Sequence, residues 1–204
     1  MHKDTILVSC PINIVKDYAI SEYIRAYRDQ THKEKKLLFA DNSLNDWYFR
    51  YLKWKYPEID SIIRTPMERD LTGTIDRAWE KIITYAYMSG IETIVSIESD
   101  IIVPPTMLER MYEDILDGAN VVCHYVPERG GRAHMTSLGC VMFRRDNFPR
   151  GFSLKDSPYN FESIMYVGTD KEYRFIDGLY DWIAHLDYPD GGEELRKVWG
   201  DGYR

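Results

Sequence analysis

Two acidic residues two positions apart, Glu98 and Asp100, are the part of the sequence best suited to chemistry. They lie between two apolar runs, residues 93–97 and 101–103, where an unpaired carboxylate is costly. On extended backbone, side chains two positions apart point to the same side. Both carboxylates can then bind one hard divalent cation, directly or through water. The alternative is an acidic turn that begins a helix near Pro104.

The segments around this pair alternate between apolar runs of strand length and amphipathic helical stretches. We predict strands at residues 5–9, 36–40, 61–64, 93–97, 120–126, 138–144 and 180–185. We predict helices at residues 18–28, 74–88, 104–116 and 170–179, and one that begins near 43–46 and ends at 55. This alternation favours an α/β fold with a mainly parallel central sheet and helices on both faces. Ligands of such sheets bind beyond the carboxyl ends of the strands, which is where the acidic pair lies.

The composition is that of an ordinary globular protein. The chain has 204 residues, 44% of them apolar, and we expect one domain over residues 1–204. Its formal charge of −7 argues against nucleic acid as a partner, because phosphate binding needs a basic surface. An acidic protein that binds a nucleotide diphosphate needs a cation to balance the charges.

Cysteine spacing and hydropathy bear on the compartment. Cys10, Cys123 and Cys140 are far apart in apolar runs, which is typical of buried free thiols in a reducing environment. No apolar run reaches the roughly 18 residues of a membrane span, and the first apolar run is too short for a signal peptide. The sequence therefore predicts a cytoplasmic protein. The aromatic and basic residues 47–56 suit peripheral membrane contact or sugar stacking, but more often such a helix packs its rings on the sheet.

Residues 94–104, with Glu98-Ser99-Asp100 at their centre, resemble the acidic motif of the GT-A fold glycosyltransferases, particularly family 2. In that family an Asp-x-Asp motif or a variant follows a central strand. It holds Mn²⁺ or Mg²⁺ against the diphosphate of a nucleotide sugar. The resemblance implies that Asp100 and Glu98 bind the metal and that Ser99 belongs to the donor site. Glu98 lengthens the first side chain of the motif, so Asp100 is the safer ligand.

The resemblance extends to residues before the motif. Pro11 follows the first strand, where the family's turn meets the nucleotide. Asp41 follows the second strand, like the family's aspartate that contacts the base. Arg77 lies in the helix before the acidic strand and is implied to approach the pyrophosphate or base. The alternatives are a helix cap formed by Ser43 and Asp46, and a solvated helix arginine at position 77.

Three residues after the motif complete the resemblance. Gly139 lets backbone and sugar approach closely, with a strand bulge as the alternative. Asp170 takes the place of the family's x-Glu-Asp carboxylate that activates the acceptor hydroxyl. A helix start capped by Thr169 is the other reading of that segment. His185 resembles the C-terminal histidine that completes the metal site, although a lone histidine is usually structural.

The resemblance implies a metal-dependent glycosyltransferase that moves a sugar from a UDP- or GDP-sugar to a glycan, protein or lipid acceptor. A base at Asp170 opposite the leaving group favours inversion. One rival is a sugar-phosphate nucleotidyltransferase, but residues 10–13 lack the glycine-rich loop usual in that class. Another is a non-catalytic nucleotide-sugar-binding module. The short chain leaves little room for an acceptor domain, so a partner subunit or an oligomer is compatible with the sequence.

Overall fold

A seven-stranded sheet forms the centre of the described part of the chain. The computed structural model describes residues 5–65, 67, 71–124, 126–127, 133–134, 139–147, 173–176 and 184–185. The strands of the sheet are β1 (Ile6–Ile12), β2 (Lys35–Asp41), β3 (Ser61–Arg64), β4 (Thr93–Ile97), β6 (Val121–His124), β9 (Cys140–Arg144) and β10 (Tyr173–Ile176). Four short strands pair outside it: β5 (Ile101–Ile102), β7 (Val126–Pro127), β8 (Ala133–His134) and β11 (Ala184–His185).

The strand order is β10-β6-β9-β4-β1-β2-β3. β1 runs parallel to β2 and β4, β2 runs parallel to β3, and β10 runs parallel to β6. β9 is antiparallel to both of its neighbours, β4 and β6. The prediction of a mainly parallel sheet is therefore confirmed. The carboxyl ends of β1 to β4 lie on the same side of the sheet, along the line where its strands end, and the polar residues that follow them are therefore close together. We call this line of strand ends the carboxyl edge.

Helices cover both faces of the sheet, as predicted. They are α1 (Asp17–Asp29), α2 (Trp47–Lys55), α3 (Leu71–Met88) and α4 (Met107–Leu116). Alternate residues of a strand face opposite sides, so Val8 packs with α1, α2 and α4 while Leu7 packs with α3. The core is thus divided into two apolar layers, and both are anchored on β1.

The segment predicted as a helix at residues 170–179 contains a strand instead. Tyr173–Ile176 pairs in parallel with β6 and forms the edge of the sheet. A short helix is marginal without tertiary packing, whereas an edge position next to β6 satisfies the backbone through the ladder. The start of α2 also differs, because Asp46 makes no side-chain cap bond.

The prediction that α2 packs its aromatic rings on the sheet is confirmed for some rings and wrong for others. Tyr48 and Leu52 are buried against the sheet, but Trp47 and Trp54 remain 53% and 81% exposed. Two large indole rings therefore lie on the surface, beside the cations of the same helix.

Candidate active site

Asp100 is a fully buried carboxylate just beyond the carboxyl end of β4. The Lys16 ammonium donates to its Oδ1 at 3.0 Å, and the Tyr18 hydroxyl lies 3.3 Å from its Oδ2. A buried aspartate without such partners would be strongly destabilising. Two side chains from the segment that follows β1, the parallel neighbour of β4, therefore neutralise and orient this one group.

Glu98 shares the same lysine. Its Oε2 is 3.6 Å from Lys16 Nζ, and its side chain is 38% exposed. The expected extended backbone is wrong, because the Ile101 N–H donates to the Glu98 carbonyl at 2.9 Å and closes a turn. The turn, rather than a strand alternation, brings both carboxylates to one cation. The reading of the pair as a helix start is also wrong, since α4 begins only at Met107.

Lys16 is positioned by bonds between the ends of β1 and β2. It lies in a short 3-10 helix, Ile14–Lys16, whose first backbone N–H donates to Ser43 Oγ at 2.9 Å. Asn13 precedes this helix, and its Nδ2 donates to Asn42 Oδ1 at 2.8 Å. These bonds join the loop that carries the lysine to the neighbouring strand end. These bonds therefore fix the position of the main chain at Lys16.

These positioning residues were not predicted from the sequence. Asn13 and Asn42 follow predicted strands, so the rule that polar residues gather at carboxyl ends would have found them. Lys16 offers no such signal, because it is 84 residues from Asp100 in the sequence and belongs to no recognisable motif.

Asp41 is also fully buried, at the end of β2. Its Oδ1 accepts the Ser43 N–H at 2.9 Å, and its Oδ2 forms an ion pair with Arg64, the last residue of β3. The Arg64 guanidinium also donates to the Ser43 carbonyl at 2.8 Å. The predicted helix cap at Ser43 is thus replaced by contacts between strand ends. Contact of Asp41 with a base stays a prediction and must be compatible with these bonds.

Ser99, Gly139 and Pro11 lie close to the acidic pair or at the carboxyl edge. Ser99 is buried, and its hydroxyl has no hydrogen-bond partner among the described residues. The Gly139 carbonyl accepts the Glu98 N–H at 3.0 Å, which brings the start of β9 against the motif. Pro11 is half-buried and lies within β1, so the turn predicted at this residue is wrong: the strand continues to Ile12 and pairs with β2 there. Their roles in binding a donor stay predictions.

Arg77, His185 and Asp170 are the three remaining predicted site residues. Arg77 is exposed on α3 and pairs with Glu80 at 3.0 Å, as the solvated-arginine alternative expects. β11 pairs antiparallel with β5 and places His185 opposite Ile101, one residue from Asp100. Asp170 lies outside the described residues. Within the described ranges, no three His, Cys, Asp or Glu side chains are close enough to hold a metal ion.

The cysteines behave as expected from their apolar surroundings. Cys10, Cys123 and Cys140 are free and buried. Burial raises the pKa of the Cys10 thiol well above its usual range, and the same cause acts on the pKa of Cys140. Neither thiol is therefore a candidate nucleophile.

Solved structures share this fold. TarS of S. aureus (residues 1–349) is similar with a TM-score of 0.61 and 12% identity, over 84% of this chain and 58% of that one. Mannosyltransferase PcManGT of Pyrobaculum calidifontis, solved with GDP-Man and Mn²⁺, is similar with a TM-score of 0.54 and 12% identity, over 73% and 47% of the two chains. HddC of Yersinia pseudotuberculosis is similar with a TM-score of 0.56 and 11% identity, over 95% and 98%.

The likeness defines a GT-A-like glycosyltransferase fold. No protein-family model and no curated protein sequence matches the chain. The chain spans little more than half of the TarS chain that it matches. None of the helices in the described residues is long and apolar enough to cross a membrane.

Proposed function

We propose that the chain is a glycosyltransferase that moves a sugar from a nucleotide-sugar donor to an acceptor hydroxyl. The observation that carries the proposal is the fully buried Asp100, held with Glu98 around one cation at the carboxyl end of β4. A GT-A-like sheet with charged groups at its carboxyl edge suits a diphosphate balanced by positive charge. PcManGT, which has a similar fold, was solved with GDP-Man and Mn²⁺.

We further propose that the site takes Mn²⁺ or Mg²⁺. Asp100 and Glu98 carry the hard oxygen ligands that these ions prefer, and the pairing of His185 with Ile101, the residue after Asp100, supports His185 as the third proposed ligand. The buried Ser99 hydroxyl, which lacks a partner among the described residues, lies between the two acids in the chain. These residues therefore fit a divalent ion. When bound, it supplies Lewis-acid stabilisation of the departing diphosphate.

The remaining residues would bind and orient the two substrates. Pro11, Asp41 and Arg77 are the proposed contacts of the nucleotide, and Gly139 leaves room for the sugar. Asp170 is the proposed base that accepts the proton of the acceptor hydroxyl. A base on the face opposite the leaving group gives inversion. The proposed unit is one domain over residues 1–204, and UDP- or GDP-sugars are the proposed donors.

The test is a thermal-shift panel of UDP-, GDP- and dTDP-sugars, with and without Mn²⁺. We expect one class of donor to raise the Tm only when the metal is present, and Asp100→Asn to abolish that rise. If no nucleotide sugar stabilises the protein, the proposal is wrong. A nucleotidyltransferase would instead respond to a nucleoside triphosphate with a sugar phosphate.

Asp170→Ala separates a transferase from a non-catalytic binding module. A transferase should lose turnover and keep its donor affinity, because the proposed base acts on the acceptor. A binding module has no turnover to lose and keeps its donor affinity. Isothermal titration beside a product assay on glycan, protein and lipid acceptors gives both quantities.

We also propose peripheral membrane contact through α2, in line with a lipid acceptor. The exposed Trp47 and Trp54 rings stand with the exposed Arg50, Lys53 and Lys55, a combination suited to an anionic interface. Flotation with anionic and neutral vesicles tests this. Binding only to anionic vesicles, lost in a variant with both tryptophans changed to alanine, is the expected result. The free buried cysteines are in keeping with a cytoplasmic location, which remains a proposal.

A further inference from the structure

One ammonium group stands between the two carboxylates proposed to bind the metal. Lys16 Nζ is 3.0 Å from Asp100 Oδ1 and 3.6 Å from Glu98 Oε2. Asp100 is fully buried, so this contact supplies positive charge where it is most needed. A divalent cation that bridged the same two oxygens would compete for the place of this ammonium.

We propose that Lys16 is a built-in counter-cation that competes with the divalent metal for Glu98 and Asp100 and thereby sets the metal affinity of the site. The proposal rests on the proposed function in one respect, namely that this pair binds a metal. It adds that the metal-free protein is already charge-balanced at Asp100, and that metal binding is an exchange of cations.

The way Lys16 is attached allows such an exchange. Its backbone is held by the bonds of Asn13 and Ser43, while the ammonium sits on a flexible four-carbon stem. The Glu98 side chain is 38% exposed, so the site opens to solvent on that side. The ammonium can therefore leave the carboxylates by rotation about its side-chain bonds, without a change in the fold.

The charges favour exchange over simple addition. Two carboxylates with one ammonium carry a net charge of −1, and with one divalent ion they are neutral. If the ammonium stayed in place, it would lie within contact distance of the incoming ion and repel it. Tyr18 bonds to the other oxygen of Asp100 at 3.3 Å and can hold the carboxylate while the cation changes.

The experiment is a Mn²⁺ titration of the full chain without nucleotide, followed by electron paramagnetic resonance of free Mn²⁺. Lys16→Met should bind Mn²⁺ about tenfold more tightly than the parent, because it removes the competing positive charge. Lys16→Arg should bind Mn²⁺ at least about threefold more weakly than the parent, because a guanidinium forms stronger hydrogen bonds to two carboxylates than an ammonium does. The expected order of affinity is Met above Lys above Arg.

Lys33→Met is the matched control. It removes one exposed positive charge at the opposite end of the sheet, just before β2, and changes the net charge equally. We expect its Mn²⁺ affinity to equal that of the parent. A tighter affinity in both methionine variants would mean a general charge effect and would overturn the proposal.

Other outcomes also decide the matter. Equal affinities across the Lys16 series, weaker binding in Lys16→Met, or no Mn²⁺ binding in any variant would each refute the exchange. If Lys16→Met does not fold, the ratio between Lys16→Arg and the parent still tests it, because Lys16→Arg keeps the charge.

The two proposals can fail separately. Mn²⁺ exchange without any effect of a nucleotide sugar would reject the glycosyltransferase and keep the exchange. Donor binding and turnover with equal Mn²⁺ affinities would do the reverse.

Discussion

Two aspartates are completely buried on either side of β1, at the carboxyl ends of β2 and β4, and each is held by a cation from a different part of the chain. Asp41 pairs with Arg64, whose guanidinium also binds the Ser43 carbonyl. Asp100 pairs with Lys16, whose ammonium is shared with the half-exposed Glu98. The two pairs differ in the cation: a guanidinium whose side chain is 25% exposed holds the first, and an ammonium whose side chain is 14% exposed holds the second.

The two kinds of cation hold a carboxylate in different ways. A planar guanidinium in a strand makes several directed bonds and holds the ends of β2 and β3 together. An ammonium on a flexible stem neutralises charge without fixing geometry. The Arg64 pair is therefore expected to serve the stability of the carboxyl edge, and the Lys16 pair to serve the binding of a cationic ligand.

Arg64→Met should have the largest effect on folding. It leaves the Asp41 carboxylate buried without its cation, so the free energy of unfolding should fall by about 3–5 kcal/mol. Urea denaturation at neutral pH measures this, and Mn²⁺ should not restore the loss. Arg77→Met removes an exposed pair with Glu80 and serves as the control, with a change below about 0.5 kcal/mol. A loss under about 1 kcal/mol for Arg64→Met would contradict the interpretation of Arg64 as the cation that stabilises the buried Asp41.

Asp100→Asn should have the next largest effect, and on activity rather than on folding alone. The amide keeps the size of the side chain but removes the charge that holds the cation. We expect turnover to fall by about 10²–10³-fold, the usual loss when one electrostatic group of an active site is removed. Initial rates with the donor found in the thermal-shift panel give the measurement. Activity within threefold of the parent would show that Asp100 has only a structural role.

Ser43→Ala should weaken the link between the two clusters. The Ser43 hydroxyl accepts the backbone N–H at the start of the lysine-bearing 3-10 helix, while its carbonyl still accepts from Arg64. Loss of one partly buried acceptor should lower the free energy of unfolding by about 1 kcal/mol. The Mn²⁺ affinity should shift by about two- to threefold, since the base of the Lys16 arm loosens. A stability loss with an unchanged Mn²⁺ affinity would show that the clusters are independent.

Asp46→Asn should have the smallest effect. Its carboxylate lies 3.3 Å from Arg64 Nε but is 72% exposed, so solvent screens the pair. We expect a change of less than about 0.5 kcal/mol in the free energy of unfolding. Thermal denaturation at low and high salt checks it. A loss as large as that of Arg64→Met would show that Asp46, and not Asp41, is the main partner of the arginine.

The sequence predicted those elements whose structure depends mainly on residues close together in the chain. Apolar runs bounded by turn residues predicted β3 and β4 at their observed bounds, and helical periodicity predicted α1 and most of α3. The acidic pair was found because charged groups beside buried strands are rare. The prediction of a helix at residues 170–179 failed because a short amphipathic stretch fits a helix or an edge strand equally well. Residues 173–176 form a strand because β6 offers them an unpaired backbone to bond with.

The sequence by itself thus determined the α/β class, the carboxyl edge as the place where polar groups gather, and the candidate carboxylates Glu98 and Asp100. Only the tertiary structure decided which cations meet the buried aspartates. Lys16 and Asp100 are 84 residues apart, and Arg64 and Asp41 are 23 apart. Ion pairs depend on distances of a few ångströms, and those distances exist only once parallel strands bring remote segments to the carboxyl edge.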